Sequence, residues 1–277
     1  MAVKTIGKEY MIRKNKIASF LCILLLGIAQ KSYGQTLFEK YGERSYVETI
    51  DLPMLKIISG KLQIPFSNIN LKNSQSIEVS PDLVFFTIQY MYKTTVEGKF
   101  FTSKYILVNK KDEKIIQHFN DKNDYGENDA VQVYSSNILM NKIQIGPNDI
   151  GIGVIAEEYV KSRVTLFSRE LFSIIKVSEK GLSMILENYP ISKSSGEQGI
   201  DYQTFEQETL ETQISTLKST TNGFFDLQIQ KTFRYESKLE GKPEKGHGSE
   251  KQEMVTLKFN GQFYEFTEDN RFRFLGW

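Results

Sequence analysis

Beyond Ser76 the chain runs in short stretches of aromatic and β-branched residues broken by polar turns. Residues 83–92 read Leu-Val-Phe-Phe-Thr-Ile-Gln-Tyr-Met-Tyr and come after Ser80-Pro81-Asp82, a turn signal. Such side chains pack well on a pleated surface, so this run predicts a strand. Residues 101–108 predict a second strand, 109–113 a polar turn and 114–119 a third strand. The form recurs at 130–134, 138–145, 152–158, 164–168, 172–177 and 182–186. Strands this closely spaced predict a mainly β protein built as an antiparallel meander, either a sandwich or a propeller-like sheet. No repeat is strict enough to count blades.

Two segments predict short helices. Residues 51–60 carry a capping acid (Asp51), an early proline (Pro53) and a terminal glycine (Gly60), the start and stop signals of a helix. Residues 205–218 place Phe205, Leu210, Ile214 and Leu217 loosely on one helical face. Between the sheet and this segment, residues 192–199 (Ser-Lys-Ser-Ser-Gly-Glu-Gln-Gly) read as a linker or a long loop. The chain therefore divides into residues 35–200, an antiparallel β domain with an N-terminal helix, and residues 201–277, a helix plus β-hairpin unit that is either separate or part of the same domain. In the latter, strands are predicted at 226–236, 253–259 and 262–267, with a charged loop at 237–251 holding Pro243 and His247. Asn260-Gly261, flanked by Leu257, Phe259, Phe263 and Phe266, predicts a hairpin with a type I′ turn.

The N-terminus has a different character. A cationic stretch (Arg13, Lys14, Lys16) precedes an apolar run at 17–29, and Ser32 and Gly34 come next at the spacing of a cleavage site. This is the layout of a secretion signal covering residues 1–34, with the mature chain starting at Gln35. The apolar run is too short to span a bilayer, and no later run is longer. The mature chain is thus expected to have no transmembrane helix and to lie outside the cytoplasm, in the periplasm or beyond it. Cys22, the single cysteine, sits inside the apolar run behind Phe20 and Leu21, not behind the small residues that a lipid-attachment cysteine needs. The mature chain then has no thiol chemistry. Residues 1–34 hold six basic side chains and one acidic, so removing a net +5 from a chain of net +1 leaves −4. A mildly acidic surface gives no footprint for nucleic acid.

Residues 221–227 (Thr-Asn-Gly-Phe-Phe-Asp-Leu), together with 259–264 (Phe-Asn-Gly-Gln-Phe-Tyr), resemble a terminal sheet module of exported bacterial proteins. That module is similar to degenerate repeats of the integrin-type (FG-GAP-like) propeller family. In that family an acidic loop before a strand holds calcium, and Asn222, Gly223 and Asp226 match its pattern here. Lys218 and Thr220 stand where its early acids belong. The resemblance covers about a sixth of the chain and implies no activity.

Residues 121–129 form the densest run of oxygen ligands. Asp121, Asn123 and Gly126 fit positions one, three and six of a calcium loop, and Asp129 adds a further carboxylate. Tyr125 stands at the fifth position and Gln132 where a bidentate glutamate belongs, so the segment reads first as a solvated acidic turn and second as a calcium site. Gly151-Ile-Gly-Val-Ile-Ala156 matches Gly-x-Gly-x-x-Ala, but that fingerprint works at a strand-to-helix turn, and residues 157–160 are not helical in pattern. Of the two histidines, His118 lies beside the acidic segment and His247 in the charged loop; both read as surface residues before they read as catalytic ones. Glu157 and Glu158 are adjacent, face opposite ways on a strand and make no catalytic pair. The C-terminal Trp277 is a trait of outer-membrane barrels, whereas apolar runs such as 84–86 suit a core covered on both sides.

No catalytic or cofactor motif emerges. The sequence therefore points to an exported, non-catalytic protein that binds a partner, an envelope protein or a glycan. The alternative is a carboxylate-dependent hydrolase acting on an envelope glycan or polymer, whose paired acids are defined by space and not by spacing.

Overall fold

The computed structural model describes residues 37, 46–127, 131–132, 136–160, 162, 164–200, 203–238, 248–267 and 272–275. The predicted secretion signal with Cys22, and Asp129, His247 and Trp277, lie outside them. Among the described residues, thirteen strands come after one α-helix between Leu52 and Leu257.

Strands β1 (Gln75–Ser80), β2 (Leu83–Thr95), β3 (Gly98–Asn109) and β4 (Lys114–Glu127) form a four-stranded antiparallel sheet in chain order. A second sheet of nine strands holds β5 (Val131–Gln132), β6 (Ser136–Ile138), β7 (Ile143–Gln144), β8 (Ile150–Val160), β9 (Thr165–Ser178), β10 (Gly181–Gln198), β11 (Phe205–Thr221), β12 (Phe224–Lys238) and β13 (Ser249–Leu257). Strands β8 to β13 pair in chain order, and the three short strands line the free edge of β8. The protein is therefore mainly β, an antiparallel meander with few short helices. Its nine-stranded sheet is not divided into blades. Near one corner it curls, so that the Phe225 N–H at the start of β12 donates to the Ile145 carbonyl just past β7 at 3.0 Å.

Helix α1 (Leu52–Lys61) forms where its caps predict it. Asp51 Oδ1 accepts the Met54 N–H at 3.0 Å, satisfying one orphan donor of the first turn. Its end differs from expectation. Gly60 stays helical and the left-handed residue is Gln63, at φ 56°. The Ile64 and Gln63 N–H groups return to the Ser59 and Gly60 carbonyls, a Schellman closure that seats Ile64 in the core.

Three layers result. Met54, Leu55 and Ile58 of α1 pack on Phe86, Ile88 and Ile106 of the first sheet. The opposite face of that sheet, with Phe85, Tyr105 and Leu107, packs on Ile152, Val154, Ile175 and Val177 of the second. Neighbours such as Phe85 and Phe86 thus point into different cores. A sheet covered on both faces needs the unbroken apolar run seen at 84–86. The far face of the second sheet, carrying Ile155, Phe172 and Ile174, is covered in part by Phe259 and Tyr264 of the C-terminal segment.

The predicted second helix at 205–218 is strand β11, paired with β12 along its length and with β10 over residues 205–211. Residues 192–198 of the predicted linker are the end of β10, hydrogen-bonded to β9 on one side and β11 on the other. At Gly196 a side chain would run into the Glu206 carbonyl, so glycine there permits a close approach of strands. The predicted strands at 164–168 and 172–177 are one strand, β9.

The type I′ turn also moves. Asn260 and Gly261 belong to a wider loop between Phe259 and Tyr264, which form an isolated bridge. Asn260 Oδ1 accepts the N–H groups of Gln262 and Phe263 at 2.9 and 3.0 Å, and of the two residues only Gly261 has positive φ. The two-residue turn is Asn222-Gly223 between the paired Thr221 and Phe224, with φ 50° and 85°. The Tyr264 N–H then donates to the Ile185 carbonyl at 2.7 Å, docking the last segment on β10.

Candidate functional site

The aromatic runs that build the strands leave a concave surface where three parts of the chain meet. A cleft of about 670 Å³ lies between β4, β10 and the C-terminal segment. Phe119 and Asn120 line it from β4, Met184 and Glu187 from β10, and residues 263–266 from the far side. The volume falls within the ~300–1,000 Å³ usual for small-ligand sites, and the lining is mostly apolar with few polar groups, as such sites are.

Its walls are braced from behind. The Phe119 ring packs on Tyr105 at 5.4 Å, and Tyr105 Oη donates to Asp121 Oδ2 at 3.0 Å. Phe266 meets Tyr189 edge to face at 4.7 Å. Tyr264 packs on Phe259 at 5.5 Å and its hydroxyl donates to the Phe225 carbonyl at 2.6 Å. Burial pushes the Tyr189 and Tyr264 hydroxyls well above the usual phenol range, so both stay protonated donors. Phe119 and Phe266 are partly buried, whereas Phe263 is 43% exposed. The ammonium of Lys104 donates to Asn120 Oδ1, which orients that amide. Rings fixed in this way lose little freedom when a ligand packs on them.

A second groove, of about 660 Å³, runs beside residues 47–51 and β1. Asp51 there caps α1 and Glu78 pairs with Lys110, so these polar groups serve the fold. Among the described residues no aromatic side chain lines it.

The sequence-predicted residues separate. Asp121 and Asn123 lie on β4 and not on a turn; one residue of β3, Ser103, stands opposite Asp121, Lys122 and Asn123, so the acidic segment is a bulge within the ladder. Asp121 is buried and holds Tyr105. Among the described residues no group of three or more acidic, histidine or cysteine side chains is placed to hold a metal ion. Asp226, matched to the propeller repeat, is buried and accepts the hydroxyls of Ser219 and Thr221 at 2.6 and 2.7 Å, which hold its carboxyl below the usual range. His118 is exposed on β4, and partial desolvation, with Lys104 nearby, lowers its pKa. Glu158 pairs with Arg169, and Glu157 lies near Tyr46 and Asn137 at 3.4 Å. Residues 151–156 are all within β8, where a side chain at Gly153 would meet Leu139 at 2.6 Å; the glycine serves packing.

The cleft residues were not visible as a set in the sequence. Phe119 adjoins His118, and Phe263 and Phe266 flank the Asn-Gly turn, but nothing in the spacing brings them to Met184 and Glu187. Compared with family models, with curated proteins and with solved structures, the chain matches none. Among the described residues no helix is long and apolar enough to cross a membrane.

Proposed function

We propose that this chain is an exported, non-catalytic binding protein of the bacterial cell envelope, and that its ligand is a glycan lodged in the cleft between β4, β10 and the C-terminal segment. The observation that carries this reading is the convergence of Phe119, Phe263 and Phe266 on one concave surface with Asn120, Glu187 and Glu265 beside them. The C–H face of a sugar ring packs on an aromatic face, while its hydroxyls need acceptors and amide donors at the rim. A secretion signal at residues 1–34 supports the reading, because it delivers a protein to where envelope glycans are.

The test is binding of soluble envelope oligosaccharides to the protein purified from its own cells, with mass spectrometry of the oligosaccharides afterwards. Retention without cleavage, weakened about tenfold in Phe263→Ala and in Phe119→Ala, supports the reading. No retained oligosaccharide, or a protein recovered from the cytosol with residues 1–34 intact, overturns it. A second reading shares the site, because two carboxylates line it: a hydrolase that uses Glu187 and Glu265 as acid and base or nucleophile. Cleavage abolished by Glu187→Gln or Glu265→Gln would decide for it.

A further inference from the structure

Strand β13 ends the nine-stranded sheet, and among the described residues only β12 pairs with it. Its outer row of N–H and C=O groups has no backbone partner among them. Edge strands are commonly kept short, or broken by a proline, a bulge or unpaired charges. β13 has nine residues and no proline, and it matches β12 residue for residue from Ser249 to Leu257 with no shift of register. Its charges are engaged within the chain: Glu250 with Arg234, Lys251 with Glu253, and Glu253 also with Arg273. Seven of its nine residues are exposed, among them Met254 at 57% and Val255 at 44%. On β1, by contrast, the Ser76 N–H donates to the Thr49 carbonyl and the Lys142 ammonium to the Val79 carbonyl.

We infer that β13 pairs antiparallel with β13 of a second copy, so that the nine-stranded sheet of one molecule continues into that of the other. A two-fold axis perpendicular to the sheet keeps each face continuous and sets one residue of β13 opposite itself. Centred on Glu253, it sets two carboxylates face to face. Centred on Gln252, it sets Met254 opposite Glu250. Centred on Met254, it brings the two thioethers together and sets Glu250 of each copy opposite Lys258 of the other. Lys258, one residue beyond the strand, is exposed. The Met254 register therefore joins apolar to apolar and pairs opposite charges twice, and cross-strand neighbours of both kinds stabilise a sheet. The pairing does not depend on what the cleft binds.

The experiment is sedimentation equilibrium of the purified protein at tens of micromolar, with cysteine cross-linking in a Cys22→Ser background that removes the single cysteine of the sequence. A dimer is expected. Residues directly opposite in an antiparallel pair have Cα atoms about 4.5–5.5 Å apart, within disulfide reach, so Met254→Cys forms a covalent dimer on mild oxidation. Gln252→Cys does not, because its two copies stand roughly 13 Å apart along the strands. Lys258→Glu and Glu250→Lys each set like charges opposite one another and weaken the dimer about tenfold, while mixing the two variants restores it. Circular dichroism verifies that each variant is folded. A monomer overturns the inference, and so does a dimer that both charge variants leave unchanged or that cross-links better through position 252. A cysteine at position 254 that links to a different protein overturns it in favour of a foreign strand on the same edge.

Discussion

Tyr105 Oη donates to Asp121 Oδ2 at 3.0 Å, and both side chains are buried. The bond joins adjacent strands β3 and β4 across the bulge. It fixes the ring on which Phe119 rests, so Asp121, a candidate calcium ligand in the sequence, braces the cleft wall.

Truncating that brace affects stability first. Asp121→Ala removes a charged acceptor from a buried tyrosine and is expected to destabilise the protein by about 1–3 kcal/mol in urea unfolding. Oligosaccharide binding weakens with it, through Phe119. Calcium and chelator are expected to leave the melting temperature of the unaltered protein unchanged. A rise of several degrees at millimolar calcium would assign Asp121 to a metal site instead.

The C-terminal segment depends on one carboxylate. Glu208, fully buried on β11, accepts the backbone N–H groups of Arg273, Phe274 and Leu275 at 2.6, 2.9 and 2.9 Å. Three successive amides turned inward need an acceptor, and a single carboxylate with two oxygens serves them all. Glu208→Ala is expected to cost about 2–4 kcal/mol and to speed hydrogen exchange at residues 273–275 far more than in the sheet. Glu208→Gln keeps one acceptor oxygen and loses less. Equal exchange in the alanine variant and the unaltered protein would show that other contacts hold the segment.

The same glutamate explains what the sequence hides. Along β11 the residues facing the C-terminal segment are Glu206, Glu208, Leu210, Thr212 and Ile214, a strict alternation in which three of five are polar. Period two is present, but inward carboxylates mask it, and the leucine and isoleucine that remain sit at a spacing that also suits a helix. At residues 192–199 small polar side chains lie between two strands, and composition alone reads them as a linker. The helix cap at Asp51 and the two-sided strand at 84–86 were legible because local rules agree with burial there. The cleft was not, since its walls come from residues about 65 and 80 apart along the chain, joined by sheet packing that no local signal encodes.

Acid is expected to loosen the C-terminal segment through a second carboxylate. Arg273 Nε and Nη2 bond Glu253 Oε1 and Oε2 at 2.7 and 3.0 Å, and these bonds hold the Glu253 pKa down to about 2 against an ordinary 4.5. Between those values the unfolded chain binds the proton and the folded one does not. Stability from this pair is therefore complete above pH 4.5 and is lost as pH falls toward 2. The pair is partly solvated, so the loss is on the order of 1–3 kcal/mol. Urea midpoints across that range in Glu253→Gln should show a shallower fall than in the unaltered protein. Parallel curves would locate the acid sensitivity elsewhere.

The β11–β12 turn gives the sharpest conformational test. Gly223 has φ 85°, and a Cβ built on it meets nothing within 4 Å. Any cost of a side chain there is therefore backbone strain and not crowding. Gly223→Ala is expected to lose about 1–2 kcal/mol, and Gly223→Asn less, because asparagine tolerates the left-handed region. Gly153 is the converse case: its φ is not positive, but an added methyl would press on Leu139 and Ile143, and Gly153→Ala is expected to lose about 1–3 kcal/mol by overpacking. Asparagine should rescue position 223 and worsen position 153. If urea unfolding ranks alanine and asparagine the same way at both sites, the two-residue I′ turn is not where the chain reverses.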